Sequence, residues 1–159
     1  MTLLLATAPA VFAADYKIGV VNVPRVIEAA PQADAARKKL EKEFATRDRD
    51  LVAAQKDLKE LEDRLQKDGA IMSETERGRI ERDIVNKRRD LKRDTQEFQE
   101  DVNFRRNEEM AKIQQEIAEA IVKFGKSNNF DVIFGNGVLY MDEKHDVTDA
   151  LIEKLKGGK

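Results

Sequence analysis

One histidine, 31 carboxylates and no cysteine are the raw material from which this sequence could build a reactive centre. His145 stands among Asp142, Glu143 and Asp146, residue types that can hold a divalent cation. The polar run around it reads as an exposed loop rather than a metal site. With no Cys, thiol catalysis, disulfide staples and zinc-thiolate sites are excluded. Gly135 and Gly137 flank Asn136 and read as a turn, not as a phosphate loop. The carboxylates fall on charged helical stretches, and none sits in the apolar context that would raise its pKa toward general acid work. The expectation is therefore no enzyme, no cofactor and no resident metal.

The one concentrated chemical feature is basic. Arg77, Arg79, Arg82, Lys87, Arg88, Arg89, Lys92 and Arg93 crowd a stretch whose anions are Glu81, Asp83 and Asp90, a local excess of five positive charges. Two readings stand side by side. The residues form a solvated helix face laced by i,i+4 ion pairs, or a patch that contacts an anionic or amphipathic partner. The whole chain has a formal net charge of −2. That balance and the lack of interleaved aromatics argue against a nucleic-acid binder.

The elements that carry these residues follow from composition. Among 159 residues, 38% are charged and only 6% aromatic, too few large apolar side chains for a thick globular core. Long solvated helices suit such a chain better than a compact α/β enzyme. The first residues, MTLLLATAPAVFAA, are uncharged and rich in Leu and Ala. They read as a signal peptide over 1–13, cut after Ala13 or alternatively after Ala14, and they are too short to span a bilayer. The absence of Lys or Arg before Lys17 fits a Met1 that lies inside a longer leader.

Lys17 to Val23 is a β-branched run that reads as a buried strand. Pro24 suits the first turn of a helix, and Pro31 interrupts or restarts it. Apolar residues then fall at Ala33, Leu40, Phe44, Leu51, Ala54, Leu58, Leu61 and Leu65. The alternating steps of three and four from Leu51 onward make a coiled-coil seam. Gly69 ends that helix, and Ser73 with Glu76 forms a capping box that starts another. The second seam runs Ile80, Ile84, Leu91, Phe98 and Val102, slips, and resumes at Met110, Ile113, Ile117, Ala120 and Phe124. Folding back antiparallel in one register sets Leu58 opposite Ile84, Leu51 opposite Leu91, Phe44 opposite Phe98 and Leu40 opposite Val102. Arg47 and Lys87 sit at or near the seam. Either the arm bends or splays there, or both side chains snorkel outward.

Phe130 to Phe134 and Val138 to Tyr140 flank the Gly-Asn-Gly turn and read as a β-hairpin, followed by a short capped helix from Asp146 to Lys156. The fold class is thus α+β: a small β-sheet body with a long antiparallel helical-hairpin, coiled-coil arm. The expected division is a β-rich oligomerisation body over 14–32 and 110–159 and an arm over 33–109. Three short strands in one copy expose edges and an apolar face, and oligomerisation is the natural remedy.

This order of elements resembles the Skp/OmpH family of periplasmic chaperones. The resemblance is carried by Lys17 to Asn22, Leu40 to Phe44, Phe98 to Asp101 with Arg106 to Glu109, and Phe130 to Phe134 followed by the Tyr140 strand and the terminal helix. It implies a homotrimer whose three arms enclose a cavity. In that cavity an ATP-independent holdase would keep unfolded outer membrane β-barrel proteins from aggregating before delivery to barrel assembly in the periplasm. It also implies a lipopolysaccharide or anionic-lipid contact at Arg93, Arg105 and Arg106. The match to the family's motif there is incomplete: Asp94 falls where a Lys is expected and Phe104 where the first of two Arg is expected. Family members are markedly basic, and this chain is slightly acidic. The competing reading is an exported structural or adaptor coiled coil that binds a folded partner. A prefoldin-like cytosolic chaperone would share the hairpin without export.

Overall fold

A computed structural model of the chain describes residues 16–157; the expected signal peptide lies outside them. The element order is β1 (Ile18–Val20), α1 (Val23–Ala29), α2 (Pro31–Asp68), α3 (Glu74–Ser127), β2 (Val132–Phe134), a 3₁₀ turn at Glu143–His145 and α4 (Thr148–Lys156). Two compact units divide it: Ala30–Gln115, and a second made of the residues before Ala30 together with those from Glu116 onward.

The first unit is the helical hairpin. Pro31 begins α2, where a missing backbone N–H is harmless because the first turn has no acceptor for it. The helix runs 38 residues, about 57 Å at ~1.5 Å per residue. Gly69 follows its last turn and donates from its backbone N–H to the Leu65 carbonyl at 3.0 Å. The start of α3 is capped by Ser73, whose Oγ accepts from the Glu76 backbone N–H at 3.2 Å. The reciprocal half of the expected capping box is replaced. Glu76 Oε1 accepts from Arg64 at 2.7 Å instead, and so ties the two helices together beside the turn.

The antiparallel register is the one the apolar spacing predicts. Phe44 and Phe98 meet edge to face with ring centroids 5.6 Å apart. Leu58, Ile80 and Ile84 form a buried cluster, with Leu61, Leu65, Met72 and Leu91 packed against it. Arg47 and Lys87 follow the snorkelling alternative. Arg47 reaches past the Phe98 ring, 5.7 Å from its centroid, to Asp101 at 2.5 Å, and Lys87 lies 3.8 Å from Asp57.

The second unit is built around a two-stranded sheet. β1 and β2 pair in parallel, with Ile18, Gly19 and Val20 opposite Val132, Ile133 and Phe134. Val20 also bridges to Asp146 on its other side. The core is Val21, Val26, Ile117, Phe124, Leu151 and Ile152, all buried. Thr148 is fully buried and satisfied, because its Oγ1 accepts from the Asn22 backbone N–H at 2.9 Å. Asn129 ends the last turn after α3 in the left-handed region at φ 54°, a conformation Asn tolerates better than most residues.

The expected hairpin across Gly135-Asn136-Gly137 does not form. β2 pairs with β1, and Val138 to Tyr140 is no strand. The physical reason lies in the neighbours. Leu139 is 102% exposed and Tyr140 88%, so within one chain that segment finds neither a ladder partner nor a core to cover it. The positive φ of Gly137, 78°, turns the chain without returning it to β2.

The Phe44–Phe98 pair should couple the two helices. Phe44→Ala and Phe98→Ala, measured by urea unfolding singly and together, should show a coupling of about 0.5–1.5 kcal/mol, as expected for an edge-to-face pair. Strict additivity would place the two rings in different environments.

Candidate interaction surface of the helical hairpin

The hairpin seam is polar in its Ala30-side half, and that is where the charge chemistry concentrates. Continuing the seam of α3 from Phe98 and Val102 by further steps of three and four reaches Arg105 and Glu109. Both point to α2. Arg105 donates to Glu43 at 2.9 Å and also pairs with Glu108 and Glu109. Lys39 donates to Glu109 at 2.8 Å, and Lys112 adds a contact at 3.5 Å. Glu109 is buried, at 8% exposure, and its carboxylate is surrounded by cations that offset the cost of burying a charge. The Lys39 hydrogen bond holds the Glu109 carboxyl below its ordinary value of 4.5. The Arg105 hydrogen bond does the same for Glu43, and Glu43 and Glu108 in turn raise Arg105.

This cluster was not singled out from the sequence. Its signal is there: the apparent slip between Val102 and Met110 is a seam that continues through charged residues. Glu43 with Arg105, and Lys39 with Glu109, are the complementary partners in the neighbouring helix.

Within this same half, α2 and α3 leave an open groove of about 720 Å³ between them. Its walls are mostly apolar, from Leu40 and Phe44 on α2 and from Phe98, Val102, Met110 and Ile113 on α3.

The basic stretch lies on α3 toward the turn, and most of it is occupied. Arg88 pairs across the hairpin with Glu62 at 2.6 Å and Lys87 with Asp57. Arg77 lies 3.7 Å from Glu81, four residues on, and Arg89 lies 3.9 Å from Asp90. Arg93 is held by Asp90, Asp94 and Glu97. Arg79, Arg82 and Lys92 have no ion pair among the described residues. Five of the eight thus have a carboxylate partner, Arg77 and Arg93 at i,i+3 or i,i+4 spacing along α3, Arg89 beside its neighbour Asp90, and Lys87 and Arg88 across the hairpin on α2. The residues associated by resemblance with lipopolysaccharide are not brought together as one cluster. Arg93 and Arg105 sit in separate ion-pair sets, and Arg106 lines the groove.

His145 has a structural partner. Its Nδ1 lies 3.1 Å from the Ile18 carbonyl oxygen, an acceptor, so that nitrogen carries the proton. Among the described residues no group of three or more metal-ligating side chains converges, and no helix is long and apolar enough to cross a membrane.

The depressed Glu43 and Glu109 carboxyls set a direction with pH. Their contribution to the hairpin is full above the ordinary carboxylate value and is lost as pH falls through their lowered native values. The thermal midpoint should drop on acidification below about pH 5, and Glu109→Gln should shrink that drop. An acid response unchanged by Glu109→Gln would show that the buried carboxylate is not part of it.

Residues 17–155 match the family described as outer membrane protein (OmpH-like). The chain is 40% identical over 155 residues to the chaperone protein Skp of Yersinia pestis, covering 97% of this chain and 93% of that one. Over the same length it is 33% identical to the Skp of Pectobacterium atrosepticum. A crystal structure of an OmpH-like outer membrane chaperone from Caulobacter crescentus superposes with a TM-score of 0.76. It covers 100% of this chain and 92% of that one at 15% identity, a likeness of fold.

Proposed function

The chain belongs to the OmpH-like family, and on that premise we propose that it is an ATP-independent holdase. It binds unfolded outer membrane proteins in the periplasm and prevents their aggregation before barrel assembly. The observation that carries this reading is the match, over nearly the whole chain, to relatives named as chaperones. Those relatives are named as chaperones, not as enzymes.

The physical properties of the chain support the same reading. Holding without nucleotide requires many weak contacts to a chain that cannot yet bury its own apolar surface. A long two-helix arm offers contact area while committing few large side chains to its own core. The free cations Arg79, Arg82 and Lys92 add sequence-independent attraction for acidic or amphipathic segments, lipid and lipopolysaccharide included. Arg106, at the groove, is the member of the resemblance-implied lipopolysaccharide set with no ion pair among the described residues. A contact by Arg93 or Arg105 would require exchange of their present carboxylate partners.

In this reading the chain is exported by a cleaved leader over 1–13. Residues 14–32 and 110–159 make the oligomerisation body of a homotrimer, and 33–109 make the arm. Two parallel strands of three residues each are too little sheet to stand alone. The exposed Leu139 and Tyr140, with half-exposed Phe134 and Val132 on β2, are the surface that further copies would cover. Tyr140→Asp with Leu139→Asp should shift the species seen by analytical ultracentrifugation from trimer toward monomer. An unchanged sedimentation coefficient would remove that surface from the assembly.

The holding function is tested by diluting a urea-unfolded outer membrane β-barrel protein into buffer containing residues 14–159, without nucleotide, and following light scattering. Suppression that saturates near three chains per client is the expected result. Unchanged aggregation at large excess would refute the holdase and favour an adaptor that binds a folded partner.

A further inference from the structure

Resting on that holding function, we propose that the groove between α2 and α3 seats an extended, uncharged apolar stretch of the unfolded client. The floor is apolar: Leu40 and Phe44 face Val102, Met110 and the Phe98 ring, and Ala36 leaves room in the α2 wall. Two packed helices would ordinarily close such a space, because burying apolar surface is favourable at roughly 25 cal/mol per Å². Here the seam positions that could close it carry Arg105 and Glu109. Their pairs with Glu43 and Lys39 span the two helices, so these positions carry ion pairs rather than apolar side chains that could pack into the space. The small side chains of Ala33 and Ala36 do not fill it either.

Three features select the occupant. Of the charged residues lining it, Glu109 and Arg37 are answered by their own ion pairs, and the remaining Glu41, Asp48, Arg49 and Arg106 balance, so there is no net charge that would draw an anion or a cation in. A charged residue driven onto the apolar floor would lose its hydration without a partner there. A neutral apolar stretch fits both the floor and the balanced rim. The volume, about 720 Å³, lies within the usual range of ~300–1,000 Å³ for a preformed binding site. It admits a few side chains of an extended chain and not a folded domain. Met110, unbranched and polarisable, gives the wall the adaptability that a site without sequence specificity requires.

The test places a photoreactive side chain at Ala36, inside the groove, and in a second variant at Val52, 60% exposed on the same helix and outside it. Each mature chain is irradiated with an unfolded outer membrane β-barrel protein while light scattering reports holding. Severalfold more client cross-linked at Ala36 than at Val52 is expected. Ala36→Glu, a surface-accessible change that circular dichroism should show to be folded, should weaken holding, whereas Val52→Glu should not. Equal client labelling at the two positions, or an Ala36 cross-link to a second copy or to lipid, with aggregation still suppressed, would overturn the groove and leave the holdase intact. Failure of the unmodified chain to suppress aggregation would overturn both.

Discussion

The contact of Phe44 with Phe98, in one register with the Leu58–Ile80–Ile84 cluster, fixes how the two helices pair, and the rest of the hairpin depends on that register. Moving one helix by a residue would rotate its seam by about 100° and turn Leu58 and Ile84 away from each other. Because aromatics are only 6% of the chain, there is no reserve of bulk to stabilise an alternative pairing. The same register then decides which charges face each other: Arg47 finds Asp101, Lys87 finds Asp57, and Arg88 finds Glu62.

The hairpin divides into two kinds of interface along its length. Toward the turn, Leu58, Ile80 and Ile84 close a buried apolar seam. Toward Ala30, charged residues take over the seam, and a buried carboxylate is held by Lys39, Lys112 and Arg105. An ion cluster of this sort adds little net stability over apolar packing. What it supplies is spacing and a defined partner for each helix. Beside the cluster, Leu40, Val102, Met110 and Ile113 line an open groove rather than a closed core, and apolar surface left open in this way is what a holding protein needs.

The hairpin was legible because helical periodicity and register are local and arithmetic: steps of three and four, a Pro at the start, a Gly at the turn, and positions that pair in one register. The family resemblance was legible for a related reason, since it rests on the order of elements. The polar half of the seam was missed because an apolar pattern is silent where Arg105 and Glu109 occupy the core-facing positions. The strand at Val138 to Tyr140 was expected from a turn signal at Asn136 and Gly137. A turn signal reports local backbone preference, whereas a strand also needs a neighbour, and within one chain β1 had already taken β2. The basic run illustrates a third limit. Its excess of charge was countable, but five of its eight members are answered by carboxylates along the same helix or on α2.

The most direct test of the central claim, that the polar-seamed half of the hairpin is the part that engages an unfolded chain, is hydrogen–deuterium exchange of residues 14–159 with and without an unfolded outer membrane β-barrel protein. The account predicts slower exchange concentrated at 33–45 and 98–113, the segments on both sides of the groove. Slowing confined to β1, β2 and α4, or to the turn-side basic stretch, with 33–45 and 98–113 unchanged, would contradict it.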